Sequence, residues 1–365
     1  MEVIKQVINS EINSKNIIDY PFNIEETLFF DIETTGFSSK NTILYLIGCI
    51  YFDKDMESFF SIQWFMNELD DESLIITSFF DFASKFKNIV HYNGNGFDIP
   101  YIEAKCKLYN IPYSFNIFES YDLYKVISPF KIIFKTENIK QKTMEKFLGI
   151  NRNDTFSGGE LINLFEEYMR NHNTDLRENI LLHNFDDIKG LLFLCDLFNY
   201  SSIFNGNFTV DSVKYNIDDN GNYNYATINC KTTFYIKERV SNGHGPFYFT
   251  MYNNTLIVKV DIYTAGLKYF YPNYKDYYYL PNEDCSIHKS VAFYVDKEFR
   301  TKAKAANCYS KKTGRFLPQI TETIKPYFKI NYEDSMTYFE LTDEILNLKY
   351  DLKEYVLEIL NYLKK

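Results

Sequence analysis

Features of secreted and membrane proteins are scarce in this sequence. Its six cysteines are scattered over 365 residues without a C-x-x-C pair, which favours reduced, buried thiols in a cytosolic protein over a disulfide framework. The N-terminal stretch has no apolar signal core, and no run of about 18 apolar residues occurs anywhere. We therefore expect a soluble, cytoplasmic protein with no membrane partner.

Basic residues are also fewer than acidic residues in this sequence. Lysine and arginine number 39 against 49 aspartates and glutamates, giving a formal charge of −10. This balance argues against a protein that holds nucleic acid by its overall charge. It is compatible with an enzyme that meets phosphate through metal ions and a local basic strip.

Two carboxylates stand at the end of an apolar stretch, residues 28–36 (LFFDIETTG). The stretch has the length and composition of a buried strand, and Asp31 and Glu33 occupy alternate positions at its end. Side chains two residues apart in a strand share a face, so these acids repel each other unless a cation lies between them. The alternative is a pair of acids that are simply solvated at a loop mouth.

Two later segments supply further acids. In HYNGNGFDIPYI (91–102), Asp98 opens a predicted helix after a turn-forming stretch, and a helix-capping role is the alternative explanation for an acid there. In HNFDDIKGL (183–191), His183 and Asp187 are four residues apart and share a helix face. Asp186 is a substitute for Asp187 if the helix is rotated.

The three segments together resemble the motifs of the DEDD exonuclease superfamily, and most closely its YprB-like group. Asp31 and Glu33 match the first motif, Asn93, Phe97 and Asp98 the second, and Asp187 the third. The stretches 42–52, around Asp122 and 142–162 also resemble that group, so the similarity covers roughly residues 25–200. His183 departs from the superfamily, because it stands at the position of the tyrosine branch.

The resemblance implies an α/β fold, with a ribonuclease-H-like mixed five-stranded sheet flanked by helices. It also implies 3′→5′ exonuclease activity with two Mg²⁺ or Mn²⁺ ions, which oxygen ligands favour over zinc. Asp31 would bridge the ions, Glu33 and Asp187 would hold the nucleophile-side ion, and Asp98 would reach the other through water. His183 would act as general base or only position the attacking water. Substrate contacts are expected at Thr34, Asn93 and Phe97.

Chain length alone suggests two domains. We predict an N-terminal extension over residues 1–24 containing a short helix, a catalytic domain over 25–202, and a C-terminal α+β accessory domain over 203–365. In the last region, strand alternation suggests hairpins with turns at 218–221 and 253–254, and an amphipathic helix over 343–363.

One stretch of the C-terminal region, residues 297–315, is locally basic and interleaved with aromatic residues. This mixture is expected of a surface that follows a phosphate backbone and stacks bases, and the alternative is a solvated helix face followed by a turn at Thr313-Gly314. We define the basic strip as the five residues predicted to bind substrate: Lys302, Lys304, Lys311, Lys312 and Arg315.

The sequence thus predicts a metal-dependent 3′→5′ exonuclease that hydrolyses DNA or RNA, with nucleic acid as its partner. The alternatives are a nucleic-acid-binding protein of the same fold with little or no turnover, and a structure-selective endonuclease. The presence of all four acids argues against the first alternative. An end-blocked substrate distinguishes the second from an exonuclease.

Overall fold

The computed structural model describes residues 1–8, 20–217, 220–221 and 223–364. The chain divides into two compact units, Met1–Ser201 and Ser202–Lys365. Of the turn predicted at 218–221, Asp218 and Asp219 lie outside the described residues. No helix of the described residues is long and apolar enough to cross a membrane.

The first unit alternates short strands with helices after an initial run of strands. Its strands are β1 (Glu2–Ile8), β2 (Thr27–Thr34), β3 (Leu44–Asp53), β4 (Ser58–Phe65), β5 (Asn88–His91) and β6 (Glu119–Asp122). Its helices are α1 (Glu72–Ala83), α2 (Asp98–Tyr109), α3 (Leu123–Ile127), α4 (Gln141–Phe147), α5 (Gly158–Asn171) and α6 (Thr174–Leu194), and α7 (Leu197–Phe204) follows at the junction of the units.

All six strands form one mixed sheet in the order β1-β4-β3-β2-β5-β6. Strands β2, β3 and β4 form an antiparallel meander, whereas β5 and β6 run parallel to β2. This confirms the predicted mixed sheet with flanking helices, and it places β2 between an antiparallel and a parallel neighbour. The end of β2 therefore lies near the middle of the sheet.

The sheet has six strands because the N-terminal segment pairs with β4 rather than forming the predicted helix. Residues Glu2–Ile8 run antiparallel to β4, with Val3 opposite Trp64. An edge strand satisfies its backbone hydrogen bonds on one side and needs no helical periodicity of apolar residues. The prediction of a helix in residues 1–24 is wrong for residues 2–8, and residues 9–19 lie outside the described part.

Aromatic side chains fill much of the core of the first unit. The ring of Phe30 on β2 lies 5.6 Å from that of Phe79 on α1, and Tyr45 on β3 stacks on Phe165 of α5 at 4.0 Å. All four residues are almost fully buried. Large buried rings contribute strongly to core stability, so the elements around the end of β2 are firmly packed.

The second unit is built mainly of strands in three separate sheets. Its strands are β7 (Thr209–Ile217), β8 (Tyr223–His244), β9 (Phe247–Asp261), β10 (Tyr263–Phe270), β11 (Tyr277–Leu280), β12 (Cys285–His288), β13 (Thr301–Lys302), β14 (Tyr309–Gln319), β15 (Tyr327–Phe328) and β16 (Thr337–Glu340). Its helices are α8 (Lys289–Ala292), α9 (Asp343–Leu346) and α10 (Lys353–Leu363).

Two local predictions and one alternative in this unit are wrong. Asn253 and Asn254 lie within β9 rather than in a turn, and the left-handed φ of 53° at Asn253 accompanies an irregularity in the pairing with β8. Thr313 and Gly314 lie inside β14, where they pair with β10, so no helix face precedes a turn there. The single helix predicted over 343–363 is two helices, because Leu348 between them has a φ of 53°.

Candidate active site

The acid pair lies at the end of β2 in the middle of the sheet. Asp31 stands opposite Gly48 of β3, and the register shifts between Glu33 and Thr34 as the strand ends. Glu33 is buried and Asp31 is half-buried. Strand alternation places both carboxylates on the same face of the sheet.

Helix α6 crosses this face and contacts Asp31 directly. The side-chain amide of Asn184 donates to Asp31 Oδ2 at 3.3 Å and accepts a hydrogen bond from Gln63 Nε2 at 3.0 Å. A Cβ atom at Gly48 would lie 1.9 Å from Asn184 Oδ1. Gly48 is therefore required for the close approach that brings α6, and the residues beside Asn184, to the acid pair.

Asp98 reaches the same site from the start of α2. The turn before it is fixed by Asn93, whose φ of 60° is left-handed and whose backbone N–H donates to Asp122 Oδ1 at 2.8 Å. The backbone N–H of Gly94 donates to His91 Nδ1 at 3.0 Å. Asp98 itself is only 6% exposed, which is unusual for an acid that merely caps a helix in solvent.

The third segment contributes His183 and Asp187 from one face of α6. His183 Nε2 lies 3.1 Å from Asp187 Oδ2 and 3.8 Å from Glu33 Oε1. Asp186 points elsewhere, because its Oδ2 accepts the backbone N–H groups of Asn153 and Asp154 at 2.6 and 2.8 Å. Of the two candidate aspartates, the structure therefore brings Asp187 into the acid cluster and gives Asp186 a role in holding a loop.

Because Asp186 and Asp187 contact different groups, we expect different results when each is replaced by alanine. Asp186→Ala leaves two backbone amides without their acceptor and should lower the free energy of unfolding by about 1–3 kcal/mol, with Mn²⁺ affinity largely retained. Asp187→Ala should abolish tight Mn²⁺ binding, and it should also lower the free energy of unfolding because His183 and Arg152 lose their carboxylate partner; Mn²⁺ affinity is therefore the result that separates the two variants. Thermal unfolding and Mn²⁺ titration of both variants test the assignment, which an exchange of the two outcomes would refute.

Four further polar residues join the site, two from α4 and two from the loop between α4 and α5, and sequence reasoning had not singled them out. Arg152 Nη2 lies 2.7 Å from Asp187 Oδ1, and its Nη1 donates to both oxygens of Glu145. Asp154 Oδ2 lies 2.8 Å from His183 Nδ1 and 3.1 Å from Lys142 Nζ. Their location inside 142–162, a stretch noted only for its resemblance, was the available signal.

Burial and mutual repulsion make ionisation of the acid cluster unfavourable. Burial, together with the charges of Asp187, Asp98 and Glu33, holds the pKa of Asp31 well above its usual range. Burial raises the pKa of Glu33 to about 8 and that of Asp98 to about 7, with further contributions from neighbouring carboxylates. Without added cations, the site therefore tends to hold protons at neutral pH.

Asp187 and His183 behave in the opposite way because they pair with each other. Burial disfavours the charge of Asp187, but the hydrogen bond from His183 and the charge of Arg152 lower its pKa. Burial likewise disfavours charged His183, yet its contacts with Asp187 raise the pKa of the imidazole. The cluster thus contains one stable ion pair beside three carboxyl groups that lack full charge compensation.

The donor set fits a divalent cation. Ligand atoms of Glu33, His183 and Asp187 all lie within 4.8 Å of one another, and the charges of Glu33 and Asp187 also act on Asp31. Carboxylate oxygens are the ligands that Mg²⁺ and Mn²⁺ prefer. A bound cation would also compensate the repulsion that raises the pKa values of the three carboxyl groups.

The predicted substrate contacts near the acids occupy the rim of the site. Thr34 donates its hydroxyl to the carbonyl oxygen of Gly36 at 2.9 Å, and Asn93 is exposed. The ring of Phe97 packs edge-on against Phe37 at 5.8 Å. Phe37 is 93% exposed, and its position directly after the acid motif is a sequence signal that was overlooked.

The basic strip belongs to the second unit, and the structure gives most of its cations partners there. Lys311 pairs with Asp284 and Lys312 with Glu340, while the guanidinium of Arg315 lies 4.3 Å from the ring centre of Tyr223. Lys302 and Lys304 have exposed side chains. The strip is therefore a set of strand and loop residues, of which these two lysines make no ion pair with a described residue.

Comparison with known proteins gives one family match. The family model described as RNase_H superfamily matches residues 28–199, and no curated protein sequence matches the chain. An exonuclease I structure is 11% identical with a TM-score of 0.33, covering 59% of this chain and 54% of that one. E. coli exonuclease I in complex with a dT13 oligonucleotide is 13% identical, with a TM-score of 0.29 and the same coverages.

The chain thus spans about half the length of these two structures, and similarity at this level identifies no activity. The family match confirms the predicted ribonuclease-H-like fold class, while the YprB-like group within it stays a prediction. The matched segment contains β2 from Leu28 onward, β3 to β6 and helices α1 to α6. It also contains every residue of the acid cluster. Residues 28–199 of this chain therefore have a ribonuclease-H-like fold.

Proposed function

We propose that this chain is a metal-dependent nuclease that shortens DNA or RNA from the 3′ end. The observation that carries the proposal is the convergence of Asp31, Glu33, Asp98 and Asp187, with His183, on one face of the central strand. Clustered acids whose pKa values are raised by burial and mutual repulsion, as for Asp31, Glu33 and Asp98, are expected where a protein binds cations for chemistry.

Attack on a phosphodiester builds negative charge on the entering and leaving oxygens, and two divalent cations about 4 Å apart stabilise both. The four carboxylates supply the oxygen ligands, and Asp31 is central because its charge interacts with those of the other three. His183 Nε2 faces Glu33 and Asp187, a position from which it can orient a water or accept its proton.

A pair of aromatic rings at the rim, of which Phe37 is exposed and Phe97 half-buried, supports action on unpaired ends. Phe37 and Phe97 form an edge-to-face pair beside the acid motifs. An exposed ring can stack on a nucleobase regardless of its identity, and each such contact contributes about 1–3 kcal/mol to binding of single strands. A terminal nucleotide stacked on Phe37 would be held with its phosphodiester toward the acids.

The test is digestion of oligonucleotides labelled at the 5′ or the 3′ end. Single- and double-stranded DNA and RNA are incubated with Mg²⁺, Mn²⁺ or EDTA. We expect a ladder of 5′-labelled products that shortens stepwise from the 3′ end, and only with a divalent cation. Absence of cleavage on every substrate, with binding retained, would refute the nuclease and favour the non-catalytic binding protein.

The endonuclease alternative is separated by substrates without a free 3′ end. Circular single strands and oligonucleotides with a blocked 3′ terminus should resist an exonuclease. Cleavage of the circle at the rate of the linear strand would favour the structure-selective endonuclease instead. The acid cluster has the same chemistry in both cases, because in-line hydrolysis needs the same charge stabilisation.

The basic strip gives a separate prediction about binding. Lys302→Ala with Lys304→Ala removes two exposed charges, and the salt dependence of single-strand affinity should decrease by about 1.4 in log–log slope, at about 0.7 per charge. Affinity at low salt should fall, whereas Mn²⁺ affinity should not change. Lys349→Ala with Lys364→Ala is the matched control of equal charge. An unchanged slope would remove the strip from the substrate-binding surface.

A further inference from the structure

A row of lysines crosses neighbouring strands of the second unit. Lys268 of β10 stands opposite Lys311 of β14 and, on its other side, opposite Lys329, which directly follows β15. The backbone N–H groups of Lys268 and Lys329 each donate to the carbonyl oxygen of the other residue at 2.9 Å. Side chains directly opposite each other in adjacent strands share a face, and like charges in such pairs destabilise a sheet. The row is therefore a favourable place for negative charge.

Two of the three lysines have no acidic partner. Lys311 pairs with Asp284, whereas the other two make no ion pair with a described residue. Glu333 and Asp334 line the cavity beside them, but the carboxylate of Asp334 accepts the backbone N–H of Asn331 at 2.7 Å. Two ammonium groups of the row are thus available to an anion from solution.

A row of aromatic side chains runs beside the lysines on the same face. Phe270 of β10 stands opposite Tyr309 of β14, two positions beyond the lysine pair of these strands. Tyr327 of β15 lies two positions before the third lysine. Alternate residues of a strand share a face, and residues that alternate with them, such as Leu267 and Phe328, form a core on the inner face. Since two positions along a strand span about 7 Å, the aromatic rings and the positive charges are neighbours.

Two adjoining cavities open along this face. The smaller has a volume of about 490 Å³ and is lined by Lys268 and Lys329. The larger has a volume of about 790 Å³, with Lys325 as the charged residue of its lining. Such volumes, with an aromatic lining and few polar groups, are typical of ligand sites. Six aromatic residues line the larger cavity, and the last two, with Phe270, also line the smaller one: Tyr269, Phe270, Tyr271, Tyr274, Tyr327 and Tyr332.

We propose that this face of the second unit binds single-stranded nucleic acid, with phosphates on Lys268 and Lys329 and unpaired bases in the tyrosine-lined cavity. The lysines neutralise backbone charge and the rings stack on bases, which are the two interactions that hold single strands. A duplex keeps its bases paired and cannot place them in the cavity. The inference rests on the proposed function for the identity of the ligand, and it adds a site that differs from Lys302 and Lys304 of the basic strip.

The contribution of the lysines is tested by binding in EDTA, so that the result does not depend on cleavage. A fluorescently labelled thymidine homopolymer of about 16 nucleotides, long enough for one single-strand site, is titrated with the full chain at several salt concentrations. Lys268→Ala with Lys329→Ala should reduce the log–log salt slope by about 1.4, at about 0.7 per charge. Lys349→Ala with Lys364→Ala is the matched control and should keep the slope. A slope that is equally unchanged in the first variant would overturn the inference.

The contribution of the cavity is tested by Tyr332→Ala. Tyr332 is 40% exposed, and its ring lies 5.2 Å from that of Phe270. Loss of a ring that stacks on a base should weaken single-strand binding about 5- to 150-fold, whereas Tyr332→Phe keeps the ring and should keep the affinity. Tyr350→Ala is the matched control, because Tyr350 is 43% exposed. Equal affinities of wild type and Tyr332→Ala would remove the cavity from the binding site.

Photo-crosslinking locates the strand on the wild-type protein and does not require a variant to fold. An oligonucleotide that carries iodouracil is irradiated with the protein in EDTA, and mass spectrometry identifies the modified peptides. We expect crosslinks within residues 269–274 and 325–332. Crosslinks confined to the first unit, or no binding of single strands at all, would overturn the inference.

These results are separable from those of the nuclease proposal. If the protein cleaves nucleic acid but binds it without these residues, the nuclease stands and this site is refuted. If the protein binds strands on this face but cleaves nothing with Mg²⁺ or Mn²⁺, the site stands and the nuclease is refuted. Proline-rich peptides also dock in aromatic-lined grooves, so binding of a polyproline peptide without binding of single strands would overturn the inference in favour of a protein-docking surface.

Discussion

Asp31→Asn should abolish cleavage and, in the presence of a chelator, make the protein more stable. We expect at least about a 10³-fold loss of kcat, because groups that act as one catalytic unit lose most of the rate when a single member is removed. In EDTA at pH 8, the free energy of unfolding should rise, because the folded state no longer has to hold this carboxylate among its acidic neighbours or protonate it.

The loss of cleavage and the gain of stability expected for Asp31→Asn have one physical cause. Asp31 lies near Glu33, Asp98 and Asp187, whose charges oppose its ionisation. A carboxylate in this environment destabilises the metal-free fold, and an amide of the same shape removes that repulsion. The property that destabilises the free protein is the one that attracts cations, as expected where function conflicts with stability.

Activity and stability are measured side by side to check this. Digestion of a labelled oligonucleotide gives kcat, and denaturant unfolding in EDTA and in Mg²⁺ gives the free energies. Asp55→Asn, an exposed aspartate in the turn after β3, is the matched control and should change neither. Loss of activity accompanied by loss of stability in EDTA would contradict the assignment of Asp31 to a cation site.

The stability of the metal-free protein should fall as pH rises from about 4 to about 8. The pKa values of Asp31, Glu33 and Asp98 are raised in the folded state, the latter two to about 8 and about 7. Between their unfolded and folded pKa values the native state binds more protons than the unfolded chain, so stability decreases with pH. The decrease should exceed about 1.4 kcal/mol, the equivalent of one pKa unit.

The paired residues of the site do not reverse this trend. The raised pKa of His183 gives stability that is present below its unfolded pKa and lost as pH rises through the folded value. The lowered pKa of Asp187 gives stability that is lost only as pH falls below the ordinary aspartate value. Above about pH 4, all the shifted groups of the cluster therefore act in the same direction.

Divalent cations should cancel most of this pH dependence. A ligand that binds only the folded state at 100 times its Kd adds about 2.7 kcal/mol to the free energy of unfolding, and its binding strengthens as the acids deprotonate. Urea unfolding from pH 4 to 9, in EDTA and in Mg²⁺, measures the effect. Glu33→Gln should flatten the EDTA curve, and a wild-type curve that rises between pH 5 and 8 would contradict the prediction.

The sequence by itself determined the mixed sheet and the candidate acids. Alternation in residues 28–36 identified a buried strand ending in two carboxylates, and a four-residue spacing put His183 and Asp187 on one helix face. These conclusions depend on local periodicity, which is encoded in neighbouring residues. The same reasoning failed for residues 2–8, where strand formation depends on an unpaired edge of β4 that no local pattern reveals.

Only the tertiary structure decided which neighbouring residues enter the site. Asp186 and Asp187 are adjacent in sequence, and their roles follow from the rotation of α6, which the approach of Asn184 to Gly48 fixes. Arg152 and Asp154 belong to a loop more than 25 residues before their partners, and Lys311 and Lys312 are paired with distant acids. Burial, repulsion and hydrogen bonding arise between residues far apart in the chain, so the electrostatic character of the site became defined only on folding.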